Sequence, residues 1–137
     1  MNIAELLLIL LSWAASISGY PEGEPPTIEL QDHAFFVENV CAGVECKVIG
    51  WYNDDNVVYL DRDIPLDLVD QMLVHELVHH LQFQSGKFDS DSCEDSLFRE
   101  REAYQIQGTY MLANGRRARP MPMKVSCAKP PQSVVFF

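Results

Sequence analysis

The sequence predicts an α+β domain in which a small sheet with a hairpin packs on two long helices. Two β-rich runs, 47–52 and 57–60, flank the polar segment 53–56, a pattern typical of a hairpin. A short strand is predicted at 27–30 and a short helix within 31–41. The segments 66–84 and 94–113 have the length and the end signals of helices. With 137 residues, 47% of them hydrophobic, the chain is expected to form one domain around a modest core.

The first long helix, 66–84, is expected to be central and buried. Apolar side chains occur almost all the way round it when its residues are placed at steps of about 100°. Asp61 or Asp63 is predicted to cap its N-terminus, and Pro65 suits its first turn. Gly86 is predicted to end it. Polar side chains in the middle of such a helix therefore require an explanation.

The first 19 residues have the pattern of a secretory signal. An apolar run, 6–11, fades into small residues, and it is shorter than the roughly 20 apolar residues that span a bilayer. No Lys or Arg precedes the run and Glu5 is acidic, which leaves a retained anchor or a buried helix as alternatives. We expect cleavage after residues 1–19, a flexible Pro-rich leader at 20–26, and a secreted or periplasmic protein without a stable membrane span.

Charge is distributed unevenly along the chain. The net charge is −10 and the pI is near 4.6, whereas nucleic-acid binders carry basic surfaces, so nucleic acid is excluded as a partner. The segment 116–137 nevertheless holds four prolines and half of all Lys and Arg residues. We expect a solvated tail, although a basic tail can also contact membrane phosphates or an acidic partner. The pattern indicates no oligomeric state.

Four cysteines, at positions 41, 46, 93 and 127, allow three disulfide pairings. Proximity in the sequence favours Cys41–Cys46, which leaves Cys93–Cys127. The second bridge would pin the tail to the domain. Disulfides agree with export, and free thiols in a cytosolic protein are the alternative.

The segment 75–80 reads HELVHH and holds three of the four histidines. His75, Glu76 and His79 match the pattern H-E-x-x-H, which composition alone would produce in roughly 0.8% of such chains. Residues four apart lie on one helix face, so both imidazoles can bind one tetrahedral zinc ion. Glu76 is then placed to accept a proton from water beside the metal. A surface histidine pair is the alternative, but the apolar helix predicts burial.

His80 points in another direction. It is expected to find hydrogen-bond partners in the core or behind the metal ligands.

The second long helix, 94–113, is predicted to follow a cap at Ser92 or Asp91 and to stop at 114–115. A catalytic zinc site needs a third protein ligand, and Glu100 and Glu102 on this helix are the candidates. They point about 200° apart, so only one can face the metal. Glu100 falls about 60° from the inner face, centred on Ala103, and Glu102 about 100°. Glu100 is therefore favoured, and Glu102 is expected to pair at most with a neighbouring arginine.

The motif H-E-x-x-H at 75–79, followed by E-x-x-A at 100–103 on a later helix, resembles the gluzincin metallopeptidases. The fuller pattern, with Gly-Trp-Tyr at 50–52, is similar to a family of small exported bacterial proteins. The resemblance implies a zincin-like domain, 27–115, with zinc bound by His75, His79 and Glu100. It also implies Glu76 as the general base. Many gluzincins place an Asp four residues after the glutamate ligand, where this chain has Tyr104.

The sequence thus predicts zinc-dependent hydrolysis of a peptide or protein substrate by a secreted minimal metallopeptidase. The alternative is a zinc-containing binding or scaffold protein without peptidase activity. Trp51 and Tyr52 are expected to be core aromatics. Their strand is the candidate edge to which an extended substrate adds.

Overall fold

A computed structural model describes residues 1–88, 90–118, 127 and 134–136 of the chain. Within these residues the fold is α+β, as predicted, with four helices and a small sheet. The helices are α1 (Ile3–Ser18), α2 (His33–Asn39), α3 (Leu66–Ser85) and α4 (Cys93–Ala113). The strands are β1 (Thr27–Gln31), β2 (Val48–Tyr52), β3 (Val57–Asp61) and β4 (Val134–Phe136).

The sheet has the strand order β1-β3-β2-β4. The predicted hairpin is present, because β2 and β3 pair antiparallel with Gly50 opposite Leu60 and Trp51 opposite Tyr59. β1 pairs parallel to β3, and β4 pairs antiparallel to the other side of β2. The expectation that β2 offers a free edge to a substrate is therefore wrong. Its edge is already paired with β4.

α3 forms the centre of the core, as its apolar sequence predicts. Six of its apolar side chains have 0% exposure: Met72, Leu73, Val74, Leu77, Val78 and Leu81. The predicted Asp cap is wrong, because Pro65 occupies the cap position and no side chain caps the helix. Asp61 Oδ1 instead accepts a hydrogen bond from the Asp63 backbone N–H at 2.8 Å, which closes the preceding turn. Gly86 ends the helix with φ +72°, as predicted.

α4 has the predicted ends and the predicted inner face. Ser92 caps its N-terminus by accepting a hydrogen bond from the Asp95 N–H at 3.1 Å. Asn114 follows its last turn. The inner face buries Glu100 and Ala103, together with Ile106, Gln107, Tyr110 and Met111. α3 and α4 therefore pack through faces that both carry polar side chains.

α1 packs against α3, as in the buried-helix alternative to an export signal. Five of its apolar side chains are buried: Leu7, Leu10, Leu11, Ala14 and Ala15. The Trp13 ring also meets the Tyr110 ring of α4 edge to face at 5.3 Å. Cleavage of this segment as an export signal stays a prediction. Among the residues that can be described, no helix has both the length and the apolar character that crossing a membrane requires.

The segment 20–26, predicted to be a flexible leader, contacts two helices. The Glu24 carbonyl accepts hydrogen bonds from His80 Nε2 at 2.7 Å and from Gln84 Nε2 at 2.8 Å. The Tyr20 hydroxyl donates to Glu102. These contacts tie the segment to the end of α3 and to the middle of α4.

Both predicted disulfides are present, Cys41–Cys46 and Cys93–Cys127. The second joins the first residue of α4 to the tail, so the tail is pinned as expected. The rest of the tail is predicted to be solvated. That prediction concerns mainly residues 119–126 and 128–133, which lie outside the described part of the chain.

Candidate metal centre

Two facing helices bring three potential metal ligands together. His75 and His79 lie one turn apart on α3, so both imidazoles leave the same face of the helix. Glu100 lies on the inner face of α4. The three residues are buried, with 0%, 3% and 2% exposure. Their ligand atoms all lie within 4.8 Å of one another, so these residues can hold a metal ion.

The separation of the two imidazole nitrogens fits a tetrahedral ion. The Nε2 atoms of His75 and His79 are 3.2 Å apart. Two nitrogens that bind one zinc ion at about 2.0–2.1 Å with tetrahedral angles are about 3.3–3.4 Å apart. Glu100 Oε2 lies 3.6 Å from His75 Nε2, and Glu100 Oε1 lies 2.5 Å from His79 Nε2. The second contact is shorter than the separation of two atoms bound to one tetrahedral ion, so the carboxylate would have to move away from His79 to share a metal with it.

Glu100 Oε1 is a buried oxygen without a hydrogen bond. Its contact with His79 Nε2 is short, but it lacks the geometry of a hydrogen bond. The contact is an ion pair when His79 is protonated. A metal ion would replace this ion pair, because it would bind the deprotonated forms of both side chains.

The charges of the three side chains depend on one another. Burial favours the neutral form of His79, but the neighbouring Glu100 and Glu76 carboxylates outweigh it and raise the pKa of His79. Burial also acts to raise the pKa of Glu100, but His79 and His75 outweigh it and lower that pKa. Burial lowers the pKa of His75. Glu100 therefore carries a negative charge at neutral pH, the form that binds a cation.

Both histidines are hydrogen-bonded on the ring nitrogen that faces away from the shared position. His75 Nδ1 lies 2.9 Å from Gln107 Oε1, and His79 Nδ1 lies 2.9 Å from Gln82 Oε1. Metal-binding histidines usually have such a partner, which fixes the orientation of the ring. The imidazoles are therefore held in place without depending on a metal ion.

The Glu76 side chain extends from α3 toward β2. It has 0% exposure, and an added Cβ on Gly50 would lie 3.6 Å from its Oε2. Neither of its carboxylate oxygens has a hydrogen-bond partner of good geometry. Burial raises the pKa of Glu76 from its ordinary value of 4.5 to about 8, against the opposing effects of His79 and of the nearby Tyr52 backbone N–H. A carboxyl group with this pKa can accept and release a proton near neutral pH.

The remaining candidates have other roles. His80 accepts from the Tyr52 hydroxyl and donates to the Glu24 carbonyl, so it is satisfied in the core as expected. Tyr104 packs its ring edge to face on His75, with the ring centroids 4.5 Å apart. The arginine pairing expected for Glu102 is wrong. That carboxylate contacts three other side chains, those of Tyr20, Gln82 and Lys87.

The two glutamines behind the histidines were not predicted from the sequence. Gln82 comes three residues after His79, and Gln107 comes four residues after Ala103, so both lie on faces that the helix periodicity marks as buried. A polar residue at a buried position needs a partner. That signal was present in the sequence, but glutamine belongs to no metal-site motif that would have drawn attention to it.

Comparisons with protein-family models, with curated proteins and with solved structures find no match to this chain. The gluzincin resemblance therefore stays a prediction from the motif. Zinc as the metal and Glu76 as the base are likewise predictions, whereas the cluster of three ligands is a feature of the fold.

Proposed function

We propose that the chain is a zinc-dependent peptidase that acts on peptide or protein substrates outside the cytoplasm. The observation that carries the proposal is the buried carboxylate of Glu76, which has no hydrogen-bond partner and follows a metal ligand directly in the sequence. An unpaired buried carboxyl group destabilises a fold. A reaction that needs a base at this position explains why the chain tolerates it.

The chemistry of the ligands supports zinc. Two imidazoles and one carboxylate form the ligand set of many catalytic zinc sites, in which three protein ligands leave a fourth position open. Calcium and magnesium prefer sites made only of oxygen ligands. A structural zinc site usually has four protein ligands, and only three converge here among the residues that the structure describes.

The proposed mechanism assigns one role to each residue. When bound, zinc would act as a Lewis acid that polarises a carbonyl group and makes water a nucleophile at neutral pH. His75, His79 and Glu100 would hold the ion. Glu76 would accept the proton of the attacking water and pass it to the leaving amine. A bound cation favours the negatively charged form of a nearby carboxyl group. It would therefore lower the pKa of Glu76 below its metal-free value and leave the carboxylate free to accept the proton.

A metal-binding scaffold without peptidase activity is the second candidate. Two observations favour it. The three ligands are almost completely buried, and the edge of β2 beside the site is paired with β4 rather than open to an extended peptide. The two proposals share the metal and differ in the role of Glu76, because a scaffold needs no base.

Metal analysis combined with a peptide-library cleavage assay tests the proposal. The purified chain should bind about one zinc ion and cleave library peptides, and chelation should abolish cleavage. Glu76→Gln should keep the zinc and lose hydrolysis, because an amide cannot accept the proton. Glu38→Gln is the matched control, since Glu38 is exposed on α2 and the same chemical change there should alter neither property.

Three outcomes would contradict it. A chain that binds no zinc after reconstitution has no such site. A Glu76→Gln variant that cleaves as fast as the unmodified chain excludes Glu76 as the base. A chain that binds zinc and cleaves nothing in a broad library supports the scaffold instead.

A further inference from the structure

The two histidines of the metal centre are held in the same way by two buried glutamines. Gln107 Oε1 lies 2.9 Å from His75 Nδ1, and Gln82 Oε1 lies 2.9 Å from His79 Nδ1. An amide oxygen has no proton to donate, so in each pair Nδ1 is the donor. A neutral imidazole with its proton on Nδ1 has its lone pair on Nε2, the atom that faces Glu100. The glutamines thus determine which nitrogen is free to bind a metal.

This conclusion depends on the orientation of each amide, and the structure fixes that of Gln82. Its Nε2 lies 3.0 Å from the Arg99 carbonyl and 3.0 Å from Glu102 Oε1. Both of these oxygens are acceptors only. Turning the amide over would place its oxygen against two other oxygens, which is unfavourable in a side chain with 0% exposure.

The orientation of Gln107 is fixed through a longer chain of contacts. Its Nε2 donates to Gln71 Oε1 at 3.2 Å. Gln71 Nε2 in turn donates to the Asp67 backbone carbonyl at 3.3 Å. Because a carbonyl can only accept, Gln71 must present its oxygen to Gln107, which must then present its own oxygen to His75. Gln71 and Gln107 are both buried, with 4% and 5% exposure.

We propose that Gln82 and Gln107 are positioning residues, which keep the proton of each histidine on Nδ1 and so select Nε2 as the metal-binding atom. Glu102 completes this arrangement by holding the amide of Gln82. The proposal rests on the zinc site of the proposed function, but it does not depend on peptide hydrolysis. Sequence reasoning treated Glu102 only as a rival ligand, whereas here it acts through Gln82.

The two histidines differ in what lies behind them. The Gln82 amide leads to the carboxylate of Glu102, which also accepts from the Tyr20 hydroxyl and lies 3.6 Å from Lys87 Nζ. The Gln107 chain ends at a neutral backbone carbonyl. A negative charge behind the hydrogen bond makes a histidine a stronger metal ligand. Changes at Glu102 should therefore act on His79 and leave His75 unaffected.

Zinc affinities of four variants test the proposal, measured by competition with a chromophoric chelator. Gln82→Met and Gln107→Met keep the bulk of the side chain but remove the acceptor, and each should weaken zinc binding by about 10–100-fold. Gln105→Met is the control, because Gln105 is exposed on α4, and it should leave the affinity unchanged. Gln107→Glu keeps the acceptor for His75 but sets its second oxygen against Gln71 Oε1, so its zinc affinity should lie between that of Gln107→Met and that of the unmodified chain.

Two further variants rank the contributions of the glutamates. Glu100→Ala removes a ligand and should lower zinc affinity by orders of magnitude. Glu102→Ala should have a smaller effect than Gln82→Met, because the Arg99 carbonyl still holds the amide. An effect of Glu102→Ala equal to that of Glu100→Ala would contradict the assigned order, and Glu102 would then belong among the ligands.

Nitrogen NMR of the histidine rings gives a readout that loss of stability would not imitate. In the zinc-loaded chain both His75 and His79 should carry the proton on Nδ1 and the metal on Nε2. In Gln82→Met the Nδ1 proton of His79 should exchange faster with water, while that of His75 stays protected. Metal on Nδ1 of either histidine would overturn the proposal.

The outcomes separate this proposal from the peptidase. If both methionine variants fold and bind zinc as tightly as the Gln105→Met control, the glutamines do not position the ligands, whatever the chain cleaves. If the methionine variants lose affinity while the unmodified chain cleaves nothing, the positioning role holds and the peptidase proposal fails. A chain that binds no zinc at all contradicts both.

Discussion

Glu76 is the residue at which stability and proposed function conflict most directly. Its carboxylate is buried without a hydrogen bond, and burial raises its pKa from 4.5 to about 8. Between these two values the folded chain keeps a proton that the unfolded chain has released. In the metal-free protein the contribution of Glu76 to the free energy of unfolding should therefore fall as the pH rises from about 4.5 to about 8.

Glu76→Gln should thus stabilise the metal-free chain at pH 8 and change it little at pH 4.5. The expected gain is a few kcal/mol, since each unit of pKa shift corresponds to about 1.4 kcal/mol. Urea unfolding in the presence of a chelator at the two pH values measures it. Glu38→Gln, at an exposed position, is the control for the loss of one charge. A gain that is the same at both pH values would show that the folded chain does not hold the Glu76 proton.

Between elements, β2 lies close to α3 at Gly50. A Cβ on Gly50 would overlap the terminal methyl group of Met72 and lie 3.6 Å from Glu76 Oε2. The Met72 side chain is flexible, but it has 0% exposure, and a buried side chain in a closely packed interior moves only by displacing its neighbours. Glycine at this position therefore allows the strand to lie directly on the helix that carries the motif.

Gly50→Ala should lower the free energy of unfolding by about 1–3 kcal/mol and reduce peptide hydrolysis, because the strand must move away from Glu76. Gly108→Ala is the matched control. Gly108 lies inside α4, where a new Cβ would be in ordinary contact, 3.7 Å from Ala118 Cβ, and alanine there should stabilise the chain by about 0.5–1 kcal/mol. Unfolding and cleavage assays on both variants decide the question. Equal stabilisation by the two changes would mean that β2 does not pack closely on Met72.

The elements that were predicted correctly are those with a local signal. The four-residue spacing of His75 and His79 and the phase of Glu100 on α4 follow from helix geometry alone, and Ser92 is a typical cap. The prediction that an aspartate caps α3 failed because the Asp61 carboxylate accepts a hydrogen bond from the Asp63 backbone within the preceding turn. The sequence does not show whether an aspartate before a helix will cap the helix or close the turn. The pairing of β1 with β3 and of β4 with β2 joins distant parts of the chain, and no local pattern specifies it.

At the scale of the whole molecule, α1 raises the main conflict between sequence and fold. Its apolar run has the pattern of an export signal, yet five of its side chains are buried in the full-length chain. Both properties come from the same composition, because an apolar helix of 16 residues suits a translocation signal and also suits the apolar surface of α3. The candidate metal centre lies between α3 and α4, and none of its three potential ligands comes from α1.

A chain that begins at Tyr20 should therefore be less stable than the full-length chain but should keep its metal site. The loss of buried Leu7, Leu10 and Leu11 returns apolar surface of α3 to water, and a fully buried leucine stabilises a fold by roughly 1.5–3 kcal/mol. The shorter chain should unfold at a lower urea concentration and bind more of an apolar dye. Its zinc affinity should stay within about tenfold of the full-length value, because Tyr20 still contacts Glu102. An unchanged unfolding midpoint without dye binding would show that α1 adds nothing to the core, and loss of zinc would show that the site depends on α1 after all.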